Sequence, residues 1–202
     1  MSSRADRISR RALVQVFAAD LSPAIRVAAV LFVTVLTAVA AQISIPLPFT
    51  PVPFTLQPMV VLLGGAALGS RLGFTSQVLY LAAGLAGLPV FAASPLLPQG
   101  VARLLGPTGG YLMSYPFAAF VAGYLAERGF DRRYLTSVVA MAAGLAIVFA
   151  GGVAWMAWGA PSLGVAVALR AGLYPFLPAD ILKVLVAATV LPAAWRMLHV
   201  HP

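Results

Sequence analysis

Charge is confined to a few points of this chain, and that limits its fold more than any motif does. No Asp, Glu, Lys or Arg occurs in residues 27–70, 72–102, 104–126 or 134–169. Overall, 61% of residues are hydrophobic and 9% charged, against about 45–50% and about 25% in soluble domains. A soluble fold of this size has too little interior to hide that much apolar surface, so the solvent that fits is a bilayer. Backbone polar groups inside a bilayer must be satisfied within the chain, which favours helices.

The apolar runs divide into six spans, at about 24–45, 55–70, 72–91, 108–126, 135–159 and 175–197, near the roughly 20 residues that cross a bilayer. Only Ser70 and Arg71 separate the second from the third. The expectation is an all-α integral membrane protein, a bundle of six transmembrane helices. It divides into a basic segment, 1–23, expected to be cytoplasmic, and a six-helix transmembrane domain, 24–198. Arg4, Arg7, Arg10 and Arg11 precede the first span, Arg71 follows the second, Arg128, Arg132 and Arg133 follow the fourth, and Arg196 ends the sixth. If the spans alternate, all of these fall on one side. The positive-inside rule makes that side, and both termini, cytoplasmic. The net charge of +8 is thus accounted for by topology and does not point to nucleic acid. "AVAAQ" after a basic, apolar lead-in imitates a cleavage site, but the run continues to Ile45 and further spans follow, so it reads as a retained helix. Residues 1–20 suit a basic amphipathic helix on the inner leaflet or a solvated tail.

The connections on the other side differ in character. "IPLPFTPVPFT" (45–55) has four prolines and no charge, as expected of a stiff, extended segment over the bundle. Residues 88–110 are more than a simple connection needs, and too apolar for disorder. Together these suggest a lid over an outward-facing cavity, or loops packed on the bundle.

Asp180 and Lys183, the only lysine, stand inside the last apolar span. A spacing of three places them on one helix face. Counted from Pro175, Asp180 is about 7–8 Å into the helix and Lys183 about 12 Å. Ionisable groups at such depth face a bundle interior or a wet cavity. The pair therefore marks either an internal ion pair or a site for a small polar or anionic solute. Arg103 and Arg170 are the other charges on that side, leaving an excess of positive charge suited to a carboxylate ligand. Tyr111 and Tyr115, one helical turn apart, are candidates to line the same cavity or fill the core. Trp155 and Trp158 suit an interfacial aromatic belt.

Enzymatic readings lack parts. The histidines, His199 and His201, sit in the tail. No second intramembrane carboxylate accompanies Asp180, no cysteine exists, and the lone lysine is not in a phosphate-binding loop. No catalytic residue, metal ligand or cofactor is therefore assigned. Gly65 and Gly69 form G-x-x-x-G. Ala24/Ala28, Thr34/Ala38 and Thr37/Ala41 repeat the small-residue spacing in the first span. Such faces allow close helix approach, within the chain or to a partner.

"PFTPVPFTLQPMVVLLGGAALG" (48–69), "GLAGLPVFA" (84–92), "GPTGGYLMSYPFAAFVAG" (106–123) and "YPFLPADILKV" (174–184) together resemble the BioY family, the biotin-binding S components of energy-coupling factor (ECF) transporters. The combination of GPTGGYL with a later P-x-D-x-x-K is specific, and the likeness covers almost the whole chain after the basic tail. It implies biotin capture at the outer face of the bacterial cytoplasmic membrane, with loops closing over the ligand. It also implies partners: a transmembrane coupling protein and cytoplasmic ATPases. The family's biotin-contacting aspartate and lysine fall on Asp180 and Lys183. Arg103, chosen by its charge, Tyr111 and Gln57 complete the candidate substrate site. Ala24 and Ala28 match the family's A-x-x-x-A docking face, and Thr37/Ala41 a looser form of it. Ala179 stands where many members carry glycine. Other readings compatible with the residues are an S component for a different small vitamin, an intramembrane enzyme or a structural subunit.

Overall fold

In the computed structural model the described residues are 22–93, 98–159 and 161–197. Most of the basic segment and the two histidines lie outside them. Helix α1 (Pro23–Gln42) is followed by strands β1 (Ser44–Ile45) and β2 (Phe54–Thr55). Next come α2 (Gln57–Leu68), α3 (Ser70–Leu85) and a one-turn α4 (Val101–Leu105). Helices α5 (Gly109–Ala126), α6 (Tyr134–Trp158), α7 (Val165–Gly172), α8 (Leu177–Ala187) and α9 (Val190–Met197) complete the chain.

The chain is thus built of helices, as expected for a membrane protein. Among the described residues, three stretches are long and apolar enough to cross a bilayer: Pro23–Gln42, Tyr134–Trp158 and Leu177–Met197. The other expected spans coincide with helices of a different kind. Helix α2 has only 12 residues, and α3 carries buried Ser70, Ser76 and Gln77. Helix α5 holds Tyr, Ser and Pro at buried positions. It can do so because these positions are buried where the helix packs on α6, α2 and α3, while Phe117, Phe120 and Tyr124 are exposed.

Close approach to α5 depends on glycine. A methyl group on Gly65 would stand 2.4 Å from the Ala119 carbonyl oxygen, and one on Gly123 2.4 Å from the Gly69 carbonyl carbon. The G-x-x-x-G of residues 65–69 therefore serves packing within the chain. Gly69 also turns the chain between α2 and α3 with φ +85°, a conformation glycine tolerates best. The new helix is then capped from a distance. Glu127 accepts hydrogen bonds from the Ser70 backbone N–H at 2.9 Å and from its Oγ at 3.0 and 3.1 Å, which places an anion at the positive end of α3.

Helix α1 divides by face. Thr34, Thr37, Ala40 and Ala41 are buried. Thr34 Oγ1 lies 2.9 Å from the Ser76 carbonyl, and Gln77 Nε2 donates to Thr37 Oγ1 at 3.2 Å. Of the two uses open to the Thr37/Ala41 spacing, within the chain or to a partner, Thr37 is taken up by a contact to α3. Ala24 and Ala28 are exposed, beside exposed Val27, Leu31, Phe32 and Val35.

The sixth span is not one continuous helix. It breaks at residues 188–189, between α8 and α9. Continuation would require a hydrogen bond from residue 192 to the carbonyl of Ala188, and Pro192 has no N–H to give. Helix α8 also begins at Leu177 rather than Pro175, with Asp180 in its first turn. That sets Asp180 about 4.5 Å from the helix start, shallower than the sequence count suggests. Inside a regular helical turn, alanine at position 179 is as good a residue as glycine or better.

Candidate functional site

One cavity gathers most of the expected residues. Among its walls are Thr55, Gln57, Phe91, Arg103, Thr108, Tyr111, Tyr115, Phe176, Asp180 and Lys183. The helix starts of α5 and α8, the β2 strand and the segment around α4 all contribute. The space between the lining atoms is about 590 Å³ when the open solvent at the mouth is counted. Only about 60 Å³ of it can take the centre of a water molecule, which is room for about four to six waters. The walls must therefore part to admit anything larger.

The charged pair sits at one wall. Lys183 Nζ is 2.6 Å from Asp180 Oδ1 and donates to the Thr55 carbonyl at 2.7 Å. The ammonium also lies 3.6 Å from the centre of the Phe54 ring, a cation–π contact. Its three donors are thus largely committed, and the two charges neutralise each other. Asp180 Oδ2 has no hydrogen bond among the described residues, so this carboxylate retains an acceptor for a ligand N–H.

Gln57 and Tyr111 are also in the wall, each with a structural task. Gln57 Nε2 donates to the Tyr80 hydroxyl at 2.6 Å, and that hydroxyl donates to the Val90 carbonyl at 3.2 Å. Tyr80 packs edge-on against Phe91, ring centres 5.6 Å apart. The glycine of "GLAG" makes this possible: a methyl on Gly84 would stand 2.1 Å from the Phe91 ring. Tyr111 donates from its hydroxyl to the Gly172 carbonyl at 2.7 Å, tying α5 to α7, with Gly152 clearing space for its ring.

Arg103 stands apart in its electrostatics. It is 1% exposed, donates to the Ala92 carbonyl, and forms no ion pair among the described residues. Its Nε is buried without a partner. Burial pulls the guanidinium below its ordinary pKa, yet a guanidinium stays charged in proteins. It is therefore an uncompensated cation in the cavity wall. Arg170, the other expected outer charge, is exposed on α7 and does not line the cavity.

Three features escaped the sequence reading. Tyr80 gave no signal because its partners are distant in sequence. Trp155, expected in an interfacial belt, instead donates its indole N–H to the Gly106 carbonyl at 3.1 Å, while Trp158 is 72% exposed as a belt residue would be. Third, Asp131, in the connection between α5 and α6, is 1% exposed and accepts from Trp195 Nε1 at 2.7 Å. Arg132 lies over the same indole at 4.7 Å. Burial is the main reason the Asp131 carboxyl is raised to about 6, with Trp195 and then Arg132 opposing.

A bundle of apolar helices enclosing a small cavity with fixed charges near one end defines a membrane protein built around a polar pocket. The particular family follows from sequence comparison: the BioY family pattern matches residues 10–200, and the chain belongs to that family. A protein of Pyrococcus horikoshii described as a probable biotin transporter BioY is 43% identical over 162 residues, covering 80% of this chain and 89% of that one. The biotin transporter BioY of Thermotoga maritima is 41% identical over 158 residues, 78% of this chain and 88% of its own. The crystal structure of an S component for biotin from an ECF-type ABC transporter superposes with a TM-score of 0.76 at 25% identity, covering 87% of this chain and 95% of that one.

Proposed function

We propose that this protein captures biotin at the outer face of a cytoplasmic membrane as the substrate-specific component of an ECF-type transporter. The observation that carries the reading is the cavity of a BioY-family chain closed around Asp180, Lys183 and Arg103. Biotin carries a ureido ring and a carboxylate. Asp180 accepts a ureido N–H on its free oxygen. The Asp180–Lys183 pair is already neutral, so Arg103 balances the ligand's carboxylate. Gln57 and Tyr111 hold the wall between these poles. In this reading the chain crosses the membrane six times with both termini inside, and residues 1–23 form a cytoplasmic segment ahead of the transmembrane domain. The exposed Ala24/Ala28 face of α1 docks a transmembrane coupling protein, and cytoplasmic ATPases supply the energy. Biotin is cargo rather than cofactor, and the chain itself is not an enzyme.

The test is titration of detergent-purified protein with biotin, thiamine and riboflavin, followed by calorimetry. Saturable one-to-one binding of biotin, with none of the other two, is expected. Absence of biotin binding, or equal binding of all three, would overturn the proposal.

A further inference from the structure

The G-P-T-G-G stretch at 106–110 places one side chain in an unusual position. Its glycines are pressed against neighbours. A methyl on Gly109 would stand 1.8 Å from the Leu104 carbonyl oxygen, and one on Gly110 2.2 Å from Trp155 Cβ. The Gly106 carbonyl is held by the Trp155 indole. With its neighbours fixed, Thr108 is left lining the cavity.

Thr108 stands at the N-cap of α5, where a threonine hydroxyl ordinarily accepts from a first-turn amide. Here it does not. Its backbone is helical, φ −87° and ψ −7°, and no side-chain cap bond forms. The residue is 6% exposed, and Oγ1 has no hydrogen-bond partner among the described residues. A buried hydroxyl left unpaired is unfavourable, so its retention beside a cavity calls for a partner from within that cavity. Two further features fix the character of that partner. The positive end of the 18-residue helix α5 begins here. The buried, uncompensated Arg103 lines the same cavity, its Nε also unpaired.

We propose that Thr108 is a ligand-contacting, specificity-determining residue, donating its hydroxyl hydrogen to an anionic oxygen of the ligand in a subsite completed by Arg103 and the start of α5. Given the biotin reading, on which this rests, the oxygen is that of the carboxylate. The subsite accepts the free acid and rejects derivatives in which that charge is masked. Losing one hydrogen bond to a charged group should lower affinity by about 10- to 150-fold.

The experiment compares biotin with biotin methyl ester and biotin amide on the unchanged protein, Thr108→Val and Thr108→Ser, with calorimetry for affinity and thermal unfolding for integrity. The unchanged protein should bind biotin far more tightly than either derivative. Thr108→Val should lose affinity for biotin but little for the ester, which uses the subsite weakly, and Thr108→Ser should restore biotin binding. Equal affinity for acid and ester in the unchanged protein would overturn the inference without recourse to any variant, as would undiminished biotin binding by Thr108→Val. If the unchanged protein binds no biotin at all, it is the underlying biotin reading that fails.

Discussion

Replacing Asp180 and Lys183, singly and together, separates a ligand site from a mere internal ion pair. The side chains are 6% and 11% exposed and 2.6 Å apart. Removing one member of such a buried pair strands the other, typically at a cost of about 3–5 kcal/mol. The two single variants should not be equal. Asp180→Asn leaves Lys183 with the Thr55 carbonyl and the Phe54 ring, so its loss should be near the lower figure. Lys183→Met leaves Asp180 Oδ1 without its donor and belongs near the upper one. For a chain of this length, these losses correspond to roughly 6–20 °C in unfolding temperature. Asp180→Asn/Lys183→Met carries no stranded charge and should recover most of that stability. Biotin affinity should not follow. A ligand deprived of a buried charged partner loses about 2–5 kcal/mol, or roughly 30- to several-thousand-fold, and the double variant remains deprived. Calorimetric affinity and thermal unfolding of all three variants in detergent provide the readout. Recovery of near-native biotin affinity alongside stability in the double variant would refute a ligand contact and leave only an internal ion pair.

Asp131 makes a pH-dependent contribution of known sign. Its carboxyl is raised from 3.8 to about 6 in the folded protein, so folding favours the protonated form. The resulting penalty is absent below about pH 3.8, grows through that window and is complete above about 6, amounting to about 3 kcal/mol. Asp131→Asn should therefore gain stability relative to the unchanged protein as pH rises from 4.5 to 7.5, and an unfolding-temperature difference that does not change with pH would contradict it. Gly110→Ala should destabilise by about 1–3 kcal/mol, because its methyl meets the Gly151 carbonyl oxygen at 2.3 Å as well as Trp155; an unfolding temperature within 1–2 °C of the unchanged protein, about what 0.5 kcal/mol makes here, would show that α5 can move away. For orientation, the absence of native cysteine makes labelling clean. A cysteine at exposed Gln99 should react with impermeant reagent in intact cells and one at exposed Arg133 should not, and the reverse would invert the topology.

The positions of the helices were legible because apolar runs and clustered arginines respond to the bilayer, a solvent that acts on each segment directly. The pair Asp180–Lys183 was legible for the same reason, since a charge in an apolar run must have a purpose. What escaped depends on contacts distant in sequence. Asp131 reads as one of several loop charges until Trp195 is folded over it. Thr37 and Ala41 have the spacing of an interhelical face, but only the placement of Gln77 shows that the face is internal. Pro192 carried a signal that could have been used: in a helix interior it predicts the break four residues earlier. The length of the 88–110 connection marked it as more than a link but not as holding helix α4, and the role of Thr108 emerges only once the cap bond it would ordinarily make is found missing.

The side chains assigned to the ligand also hold the segments that roof the cavity. Lys183 donates to the carbonyl of Thr55, at the end of the proline-rich connection, and Arg103 to that of Ala92, in the connection after α3. The proline-rich connection is closed at its base by the pairing of Ser44 with Thr55 and Ile45 with Phe54. It is pinned near its middle by Thr50, whose hydroxyl donates to the Ala171 carbonyl at 2.6 Å. Four prolines fix much of its backbone in advance, so the segment is stiff between these attachments. A ligand that takes the particular donors now given to these carbonyls competes with the loops for them. Cavity charge and loop position are then linked through the same two cations, and with free space for only a few waters, that link bears on the step at which the walls must part.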